Sequence, residues 1–243
     1  MTRLDHLLVD RGSAGNLKQA AALIMTGTVL VDDIVIDKPG TLISPDSIVR
    51  IKTRLPYVSR GGIKLEGALK HFNISPDGWI CADIGASTGG FTDCLLQAGA
   101  QSVYAIDVAY GILDWKLRSD SRVVVLERCN VRKLDKGSID QTIDLAVFDT
   151  SFISLTKVIP PVLPFFRNRP RRILALVKPQ FECARDKITK GGLVKSETDR
   201  LDAVEHISNF GETYGLVSKG FIPSPITGTK GNQEYLLYLV GKQ

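Results

Sequence analysis

Two regions with different hydrophobic periods follow one another along the chain. In residues 1–55, two short helical stripes of leucine, alanine and isoleucine come first, and Asn16 is suited to cap the second. The apolar runs TVLV, IVI and SIVRIK then alternate as strands do, and Asp32 and Asp33 separate the first two in a predicted hairpin. This pattern predicts a small α+β module.

From Ile63 onward, apolar runs typical of buried strands alternate with amphipathic helical stretches, among them LTKVIPPVLPFF at 155–166. Strands that alternate with helices predict a mostly parallel, doubly wound sheet, and the last two strands, LVSKGFIPS and EYLLYLVG, predict an antiparallel hairpin at its edge. The stretch RLPYVSRGG contains proline and paired glycines. We therefore expect an N-terminal module over 1–55, a linker over 56–62 and an α/β domain over 63–243.

Composition is that of an ordinary globular protein, with 44% hydrophobic and 23% charged residues among 243. No apolar run approaches the roughly 18 residues of a membrane span, and the first residues, MTRLDHLLVDRG, do not resemble a signal peptide. The four cysteines and three histidines are scattered without metal-ligand spacing. We expect a cytoplasmic protein with no membrane partner, no disulfide and no metal.

The net charge of +5 suits a polyanionic partner, although many soluble enzymes are equally basic. Basic residues cluster in two stretches. The first stretch contains Arg50, Lys52, Arg54, Arg60, Lys64 and Lys70 against one acid, Glu66, and the second is RNRPRR at 167–172. Each cluster alone is typical of a solvated loop, and the two become informative beside an RNA-binding module.

A glycine-rich turn, DIGASTGGF at 83–91, joins a predicted strand to a predicted helix. It lacks the lysine of a phosphate-binding P-loop, and the spacing Gly85-x-x-x-Gly89-Gly90 differs from the dinucleotide fingerprint. Between Trp79 and Trp115 there is no lysine or arginine, whereas four aspartates occur there. A pyrophosphate on bare helix amides stays open as an alternative, but a cationic ligand fits these charges more easily.

S-adenosylmethionine is such a cationic ligand, and polar residues end three successive predicted strands. Asp83 and Gly85 end the first strand, Asp107 ends the second, and Asn130 follows the third. In α/β sheets, ligands bind outside the carboxyl ends of the strands. Asp107 could hold the ribose hydroxyls and Asn130 the adenine edge. A strand-end cap or a nicotinamide cofactor would also account for Asp107.

The next two predicted strands also end in charged residues, Asp149 and Lys178. A lysine that ends an otherwise apolar strand is unusual, because burial penalises its charge. A structural Asp–Lys ion pair is the alternative interpretation. Lys64 and Glu234 are weaker candidates, since each could be a surface charge.

Five motifs in this order identify a family resemblance over essentially the whole chain. They are YVSRGGIKL, DIGASTGGFTDCLL, VFDTSFISL, LVKPQFE and KGNQEYLLYL. They resemble the TlyA family, often labelled haemolysin A, whose methyltransferase part is similar to the FtsJ/RrmJ group. The resemblance implies a Rossmann-like S-adenosylmethionine-dependent methyltransferase fold, with a mostly parallel seven-stranded sheet and an antiparallel C-terminal strand. It also implies an enzyme that methylates the ribose 2′-hydroxyl of ribosomal RNA, and the nucleotide that the family suggests is cytidine.

Site residues also follow from this resemblance, position by position. It implies a Lys-Asp-Lys-Glu tetrad at Lys64, Asp149, Lys178 and Glu234. It implies cofactor contacts at Asp83, Gly85, Ser87, Gly89, Gly90 and Asp107. In the expected mechanism Lys178 is the general base, Asp149 orients it, and Lys64 and Glu234 position the ribose.

The first 55 residues resemble the αL RNA-binding module first named for a small-subunit ribosomal protein. That module usually opens its second helix with a Ser-Arg pair, where this chain has Asn16 and Leu17. The cap is kept and an arginine contact to phosphate is lost. We therefore expect RNA binding to depend on other bases, namely Arg3, Arg11 and Lys18 in the module and Arg54 and Arg60 around the linker.

Three other functions compete with this interpretation. A membrane-lysing toxin is what the family label suggests, although the sequence offers no spanning or amphipathic lytic segment. An RNA-binding protein with an inactive methyltransferase domain is opposed by the intact tetrad. A nicotinamide-dependent oxidoreductase is opposed by the glycine spacing.

Overall fold

The computed structural model describes residues 1–51, 55–135, 137–228 and 230–242. The chain divides into two compact units, Met1–Leu55 and Pro56–Gln243.

The first unit contains two helices packed on short strands. The helices are α1 (Leu4–Asp10) and α2 (Leu17–Met25), and the strands are β1 (Thr2–Arg3), β2 (Val29–Val31), β3 (Ile34–Val35), β4 (Leu42–Ile43) and β5 (Val49–Ile51). Strands β3, β2 and β5 form one antiparallel sheet in that order, and β1 pairs with β4. The α+β architecture is the one that the hydrophobic pattern predicts.

Local contacts explain why the chain turns where it does. Asn16 Oδ1 accepts a hydrogen bond from the Gln19 amide at 2.9 Å, which confirms the predicted cap of α2. The β2–β3 turn consists of Asp32 and Asp33, with φ of +48° and +67°. Aspartate tolerates this left-handed region better than most side chains do, so the pair makes a two-residue hairpin turn without glycine.

The second unit is an α/β domain. Its helices are α3 (Gly61–His71), α4 (Gly90–Gln97), α5 (Trp115–Arg118), α6 (Leu155–Val158), α7 (Pro179–Glu182) and α8 (Glu197–Glu212). Its strands are β6 (Ile80–Ile84), β7 (Ser102–Ile106), β8 (Val123–Leu126), β9 (Leu145–Phe148), β10 (Arg172–Val177), β11 (Leu216–Pro223) and β12 (Tyr235–Gly241). Helix α3 begins at Gly61, inside the stretch predicted as a linker.

All seven strands form one sheet in the order β11-β12-β10-β9-β6-β7-β8. Strands β6 to β10 pair in parallel, whereas β12 runs antiparallel between β10 and β11. This is the mostly parallel seven-stranded sheet with an antiparallel C-terminal strand that was expected. The hairpin is confirmed, but its second strand, β12, lies inside the sheet, and its first strand, β11, forms one edge of the sheet.

Alternate residues of each central strand fill two cores, one on each face of the sheet. In β6, Ile80, Ala82 and Ile84 face one core and Cys81 faces the other. Burial on both faces explains why these strands are continuously apolar. Chain order reverses at β6, since β7 lies on one side of it and β9 on the other. A crevice is expected outside the carboxyl ends of β6 and β9 for that reason.

One predicted helix, LTKVIPPVLPFF, is divided in the structure. It consists of the short helix α6 and a 3₁₀ helix over Pro160–Phe166. Proline has no backbone N–H and clashes with the preceding turn, so three prolines in this stretch prevent a continuous α-helix.

Within the described ranges, no helix is both long and apolar enough to cross a membrane. The same residues contain no group of three or more His, Cys, Asp or Glu side chains arranged to hold a metal ion. The four cysteines are not joined in disulfides.

Candidate functional site

Two adjoining cavities open at the carboxyl ends of the central strands of the second unit. The first cavity, of about 280 Å³, lies over β6, β7 and the segment after β8, and the second, of about 350 Å³, lies over β10 and the start of β12. Asp149, Ser151 and Phe152, which follow β9, line both cavities. The two volumes are near the lower end of the roughly 300–1,000 Å³ that is usual for ligand pockets.

The glycine turn brings the ends of three strands together. Gly85 has φ of +86°, and a Cβ at this position would lie 2.7 Å from the carbonyl oxygen of Asp149. Glycine is therefore required both for the left-handed conformation and for the close approach of β6 to the segment after β9. Ser87, with φ of +52°, donates its backbone N–H to Asp107 Oδ2 at 2.8 Å.

Asp107 and Asn130 lie on the wall of the first cavity, as the sequence suggested. Asp107 accepts backbone hydrogen bonds on both carboxylate oxygens, from Ser87 and from Ala109, each at 2.8 Å. Each oxygen keeps one lone pair for a ligand. The side-chain oxygen of Asn130 accepts from the Arg132 amide at 3.1 Å. This contact fixes the orientation of the Asn130 amide group.

Asp83 lies beneath the turn and does not line either cavity. Its carboxylate is fully buried, and Thr92 Oγ1 in α4 donates to Asp83 Oδ2 at 2.6 Å. Its other oxygen has no hydrogen-bond partner among the described residues. Burial raises the pKa of Asp83 to about 7. In this structure Asp83 joins the glycine turn to α4.

Gly89 and Gly90 likewise lie outside the cavity walls. A Cβ on Gly89 would lie 2.1 Å from Leu117 Cδ1, and a Cβ on Gly90 would lie 2.2 Å from Ser59 Oγ. These glycines allow α4 to pack closely against its neighbours. They shape the turn from behind, whereas Gly85 and Ser87 form its exposed surface.

The chemistry of the first cavity fits S-adenosylmethionine. None of the described residues on its wall is a lysine or arginine, so a cationic ligand meets no like charge. Val108 and Ile112 supply apolar surface for a flat ring, and Asp107 supplies acceptors for hydroxyl groups. The buried hydroxyl oxygen of Thr150 on this wall has no partner among the described residues.

The second cavity contains two lysine–carboxylate pairs. Lys178, which is 8% exposed, places Nζ 2.6 Å from Asp149 Oδ1 and donates a hydrogen bond to Ser151 Oγ at 2.9 Å. Lys64 in α3, which is 9% exposed, donates to Glu234 Oε2 at 2.5 Å. The structure thus brings the four members of the expected tetrad to one cavity wall.

Glu234 directly precedes β12 and is 3% exposed. A Cβ on Gly228 would lie 2.5 Å from Glu234 Oε1, so the loop before β12 covers this carboxylate closely. Both pairs are therefore largely removed from water. Attraction between opposite charges strengthens in such surroundings, and unpaired charges become costly.

Several residues on these cavity walls were not predicted from the sequence, among them Ser151, Phe152 and Asn232. Ser151 contacts Lys178, and Phe152, with φ of +64° and 91% exposure, stands where the two cavities meet. Asn232 accepts from the Val194 amide at 3.0 Å and donates to the Gly192 carbonyl at 2.8 Å, which joins two loops of the second cavity. The signals for the first two were their position next to Asp149 and their place in the motif VFDTSFISL.

The basic residues expected to bind RNA have different surroundings. Arg60 is exposed at the start of α3. A Cβ on the next residue, Gly61, would lie 3.8 Å from Asp149 Oδ2, so Arg60 stands at the rim of the site. Lys18 is exposed on α2 in the first unit. Arg54 lies outside the described residues.

Arg3 and Arg11 make contacts within the first unit. Arg3 forms an ion pair with the buried Asp5 at 2.6 Å. Arg11 donates to the carbonyl oxygens of Pro45 at 2.5 Å and Ser47 at 3.1 Å. Both guanidinium groups therefore stabilise the module, whatever else they contact.

The second basic cluster, RNRPRR, is occupied with contacts at the amino end of β10. Arg169 pairs with Asp144, and Arg172 lies over the ring of Trp79 at 4.7 Å from its centroid. Arg167 donates to the Asp140 carbonyl at 2.8 Å. This cluster lies at the opposite end of the strands from the two cavities, which favours the structural interpretation.

Comparisons of sequence and fold show which known proteins the chain is similar to. Residues 57–240 match the family model described as FtsJ-like methyltransferase. The chain is 44% identical, over 98% of its length and 89% of the relative's, to the 16S/23S rRNA (cytidine-2′-O)-methyltransferase TlyA of Mycobacterium tuberculosis. A solved structure from Streptococcus thermophilus that carries a hemolysin label is 40% identical, with a TM-score of 0.76 over 99% of this chain and 88% of that one.

A more distant structure is similar in fold alone. It is an S-adenosylmethionine dependent methyltransferase from Mesorhizobium loti, 14% identical, with a TM-score of 0.50 over 72% of this chain and 96% of that one.

Proposed function

Since the chain belongs to the FtsJ-like methyltransferase family, we propose that it methylates the ribose 2′-hydroxyl of a cytidine in ribosomal RNA. S-adenosylmethionine is the methyl donor of the proposed reaction. The observation that carries the proposal is the junction of the two cavities at Asp149, where a wall without lysine or arginine meets a wall with two paired lysines.

The residues of the first cavity suit the cofactor. S-adenosylmethionine, when bound, supplies an electrophilic methyl group. Asp107, held by two backbone amides, would accept hydrogen bonds from ribose hydroxyls. Val108 and Ile112 would hold the adenine ring, and the Asn130 amide would hold its edge. Gly85 and Ser87 form the floor and bring these groups next to Asp149.

Lys178 is the general base of the proposed mechanism. It accepts the proton of the ribose 2′-hydroxyl, and a base at this position is expected to contribute roughly 10²–10⁴-fold to the rate. Asp149 and Ser151 hold the ε-amino group from two sides, at 2.6 Å and 2.9 Å. Both contacts hold the amino group in place, so that proton transfer needs little rearrangement.

Lys64 and Glu234 position the ribose in this scheme. Their 2.5 Å contact fixes both side chains on the wall of the second cavity, next to Lys178. A fixed donor and a fixed acceptor together can recognise a sugar hydroxyl and its neighbours. Positioning of this kind supplies much of the rate in a one-step transfer.

Basic residues other than Lys64 and Lys178 are proposed to dock the RNA. Arg60 at the rim of the site and Lys18 on the first unit are exposed, and both are suited to phosphate contacts. The amino-terminal unit is proposed as the RNA-binding module, because its sequence resembles the αL module and its α+β architecture and Asn16 cap are formed. A ribosomal substrate also supports a cytoplasmic location.

The test of this proposal is methyl transfer to ribosomal subunits that lack the modification. Protein is incubated with methyl-labelled S-adenosylmethionine and subunits, and labelled nucleosides are identified. We expect label on the 2′-oxygen of a cytidine and a loss of at least about 100-fold in Lys178→Ala. Lys219→Ala, which removes an exposed lysine from β11, is the matched control and should transfer at the normal rate.

Two results would contradict the proposal. Normal transfer by Lys178→Ala would exclude Lys178 as the base. Binding of the cofactor without transfer to either subunit, together with lysis of erythrocytes by lipid-free protein, would favour the hemolysin label of related proteins instead.

A further inference from the structure

We propose that Ser151 is a positioning residue for Lys178, and that it directs the lone pair of the ε-amino group toward the second cavity. This inference rests on the proposed function, because it concerns the base of that reaction. Ser151 is not a member of the Lys-Asp-Lys-Glu tetrad.

The contacts of Lys178 differ in kind. Its hydrogen bond to Ser151 Oγ, at 2.9 Å, satisfies distance and angle together. Its 2.6 Å contact with Asp149 Oδ1 is an ion pair that lacks hydrogen-bond geometry, and that oxygen has no other partner among the described residues. Hydrogen bonds are directional, whereas charge attraction is not. Ser151 therefore sets the direction of the amino group more than Asp149 does.

Direction matters because the base must be a neutral amine when it accepts a proton. A neutral lysine has two N–H bonds and one lone pair in a tetrahedral arrangement. Ser151 receives one N–H group, and the negative charge of Asp149 attracts the second N–H group and repels the lone pair, so the lone pair takes the remaining position. Lys178 lines the second cavity, so the remaining position is the one available to a ribose hydroxyl. Without Ser151, rotation about the Cε–Nζ bond spreads the lone pair over other directions.

The segment that carries Ser151 is itself fixed. Glu182 in α7 accepts a hydrogen bond from Ser154 Oγ at 2.6 Å and one from the Leu155 amide at 2.9 Å. Lys178 lies four residues before Glu182, at the start of the same helix. One short helix thus holds both the lysine and the loop that supplies its acceptor. Side chains supported in this way keep a productive geometry.

The serine also occupies the right place for this role. It lines both cavities, together with Asp149 and Phe152. A group at this junction lies beside the two sites between which the methyl group is transferred. Serine is small enough to contact Lys178 there without filling either cavity.

The test compares Ser151→Ala with Ser151→Thr, which keeps the hydroxyl. Single-turnover methyl transfer is measured with both substrates saturating, and binding of S-adenosylmethionine and RNA is measured separately. We expect Ser151→Ala to slow transfer roughly 10- to 30-fold, the effect of losing one charge-assisted hydrogen bond. Both dissociation constants should change by less than about threefold, since this bond acts on Lys178 and not on a ligand. Ser151→Thr should stay within about threefold of the normal rate, because it retains the acceptor.

A pH–rate profile separates positioning from a general structural effect. A hydroxyl that accepts from an ammonium stabilises its charged form. Removing it should move the midpoint of the rising rate to lower pH while the plateau falls. Ser119→Ala, which removes an exposed hydroxyl bonded to the Trp115 carbonyl, is the control and should leave rate and profile unchanged.

The inference is overturned if Ser151→Ala keeps the normal rate and profile, or if Ser151→Thr is as slow as Ser151→Ala. Its failure is distinct from failure of the proposed function. An inactive Lys178→Ala beside a normal Ser151→Ala removes only the role of Ser151. A normal Lys178→Ala removes the general base itself.

Discussion

Lys64 Nζ lies 2.5 Å from Glu234 Oε2, although 170 positions separate the two residues along the chain. Both side chains are buried, and both line the second cavity. Burying two charges costs several kcal/mol per ion before their attraction is counted. A hydrophobic pair could fill this space without that cost. The pair is therefore better explained by its place in the site than by stability.

Removing one partner of this pair should be more harmful to stability than replacing both. Glu234→Ala leaves Lys64 buried without its carboxylate, and we expect the free energy of unfolding to fall by about 3–5 kcal/mol. The double variant Lys64→Met/Glu234→Leu should recover most of that loss and remain inactive. Urea unfolding of the unmodified protein, Glu234→Ala and the double variant measures these differences in the free energy of unfolding. Glu66→Ala, which breaks the exposed Lys70 pair, should cost only about 0.5 kcal/mol. A stable Glu234→Ala protein would show that the pair is not effectively buried.

Gly85 should tolerate no side chain. Gly85→Ala combines a left-handed φ with a contact of 2.7 Å to the Asp149 carbonyl, so we expect a loss of about 2–4 kcal/mol in unfolding free energy and slower methyl transfer. Gly78 is the matched control, because its φ is +69° and a Cβ there meets nothing within 4 Å. Gly78→Ala should cost only about 1 kcal/mol. Equal losses in thermal or urea unfolding would mean that the close approach to Asp149 is unimportant.

Asp83 should make the folded protein less stable as pH rises. Burial raises its pKa from the ordinary 3.8 to about 7, so between these values the folded state binds more protons than the unfolded state. The free energy of unfolding therefore falls across this window and levels off above it. Asp83→Asn keeps an acceptor for Thr92 and removes the titration. Between pH 5 and pH 8, the unmodified protein should lose roughly 2–3 kcal/mol more than Asp83→Asn. The same pH dependence in both proteins would exclude Asp83 as its source.

Cofactor affinity should depend on Asp107. Asp107→Asn keeps only one of the two oxygens that accept from Ser87 and Ala109, and it removes the charge that faces a cationic ligand. We expect binding of S-adenosylmethionine to weaken about 10- to 100-fold, as measured by calorimetry. Asp114→Asn changes the net charge equally and keeps the N-cap of α5, so it should bind normally. Comparable losses in both variants would point to net charge instead of a specific contact.

Much of this architecture could be predicted from local patterns. Alternating apolar runs indicated the parallel sheet, and Asn16 indicated the start of α2, because capping and burial depend on neighbouring residues. Asp149 and Lys178 were placed correctly after β9 and β10, since a charge that ends an apolar run marks the end of a strand. The predicted helix LTKVIPPVLPFF was too long, because the prediction followed the periodicity of its apolar residues and gave too little weight to its three prolines.

The different roles of the residues in the glycine turn could not be distinguished from the sequence. Gly85 and Ser87 face the first cavity, whereas Gly89 and Gly90 accommodate Leu117 and Ser59 from distant parts of the chain. Asp83 belongs to the same motif and is buried behind it. The motif shows which residue types occupy these five positions, but it does not show which way each of them faces in the fold.

Local sequence patterns were sufficient to predict the strands, the turns and the chemical types at the ends of the strands, since these depend on contacts between near neighbours. They could not predict that Lys64 meets Glu234, that Ser151 contacts Lys178 or that two cavities share Asp149, all of which the folded structure shows. These contacts depend on the order of strands in the sheet and on the insertion of β12 between β10 and β11. Such pairings join residues far apart in the chain, and no local pattern of polarity specifies them.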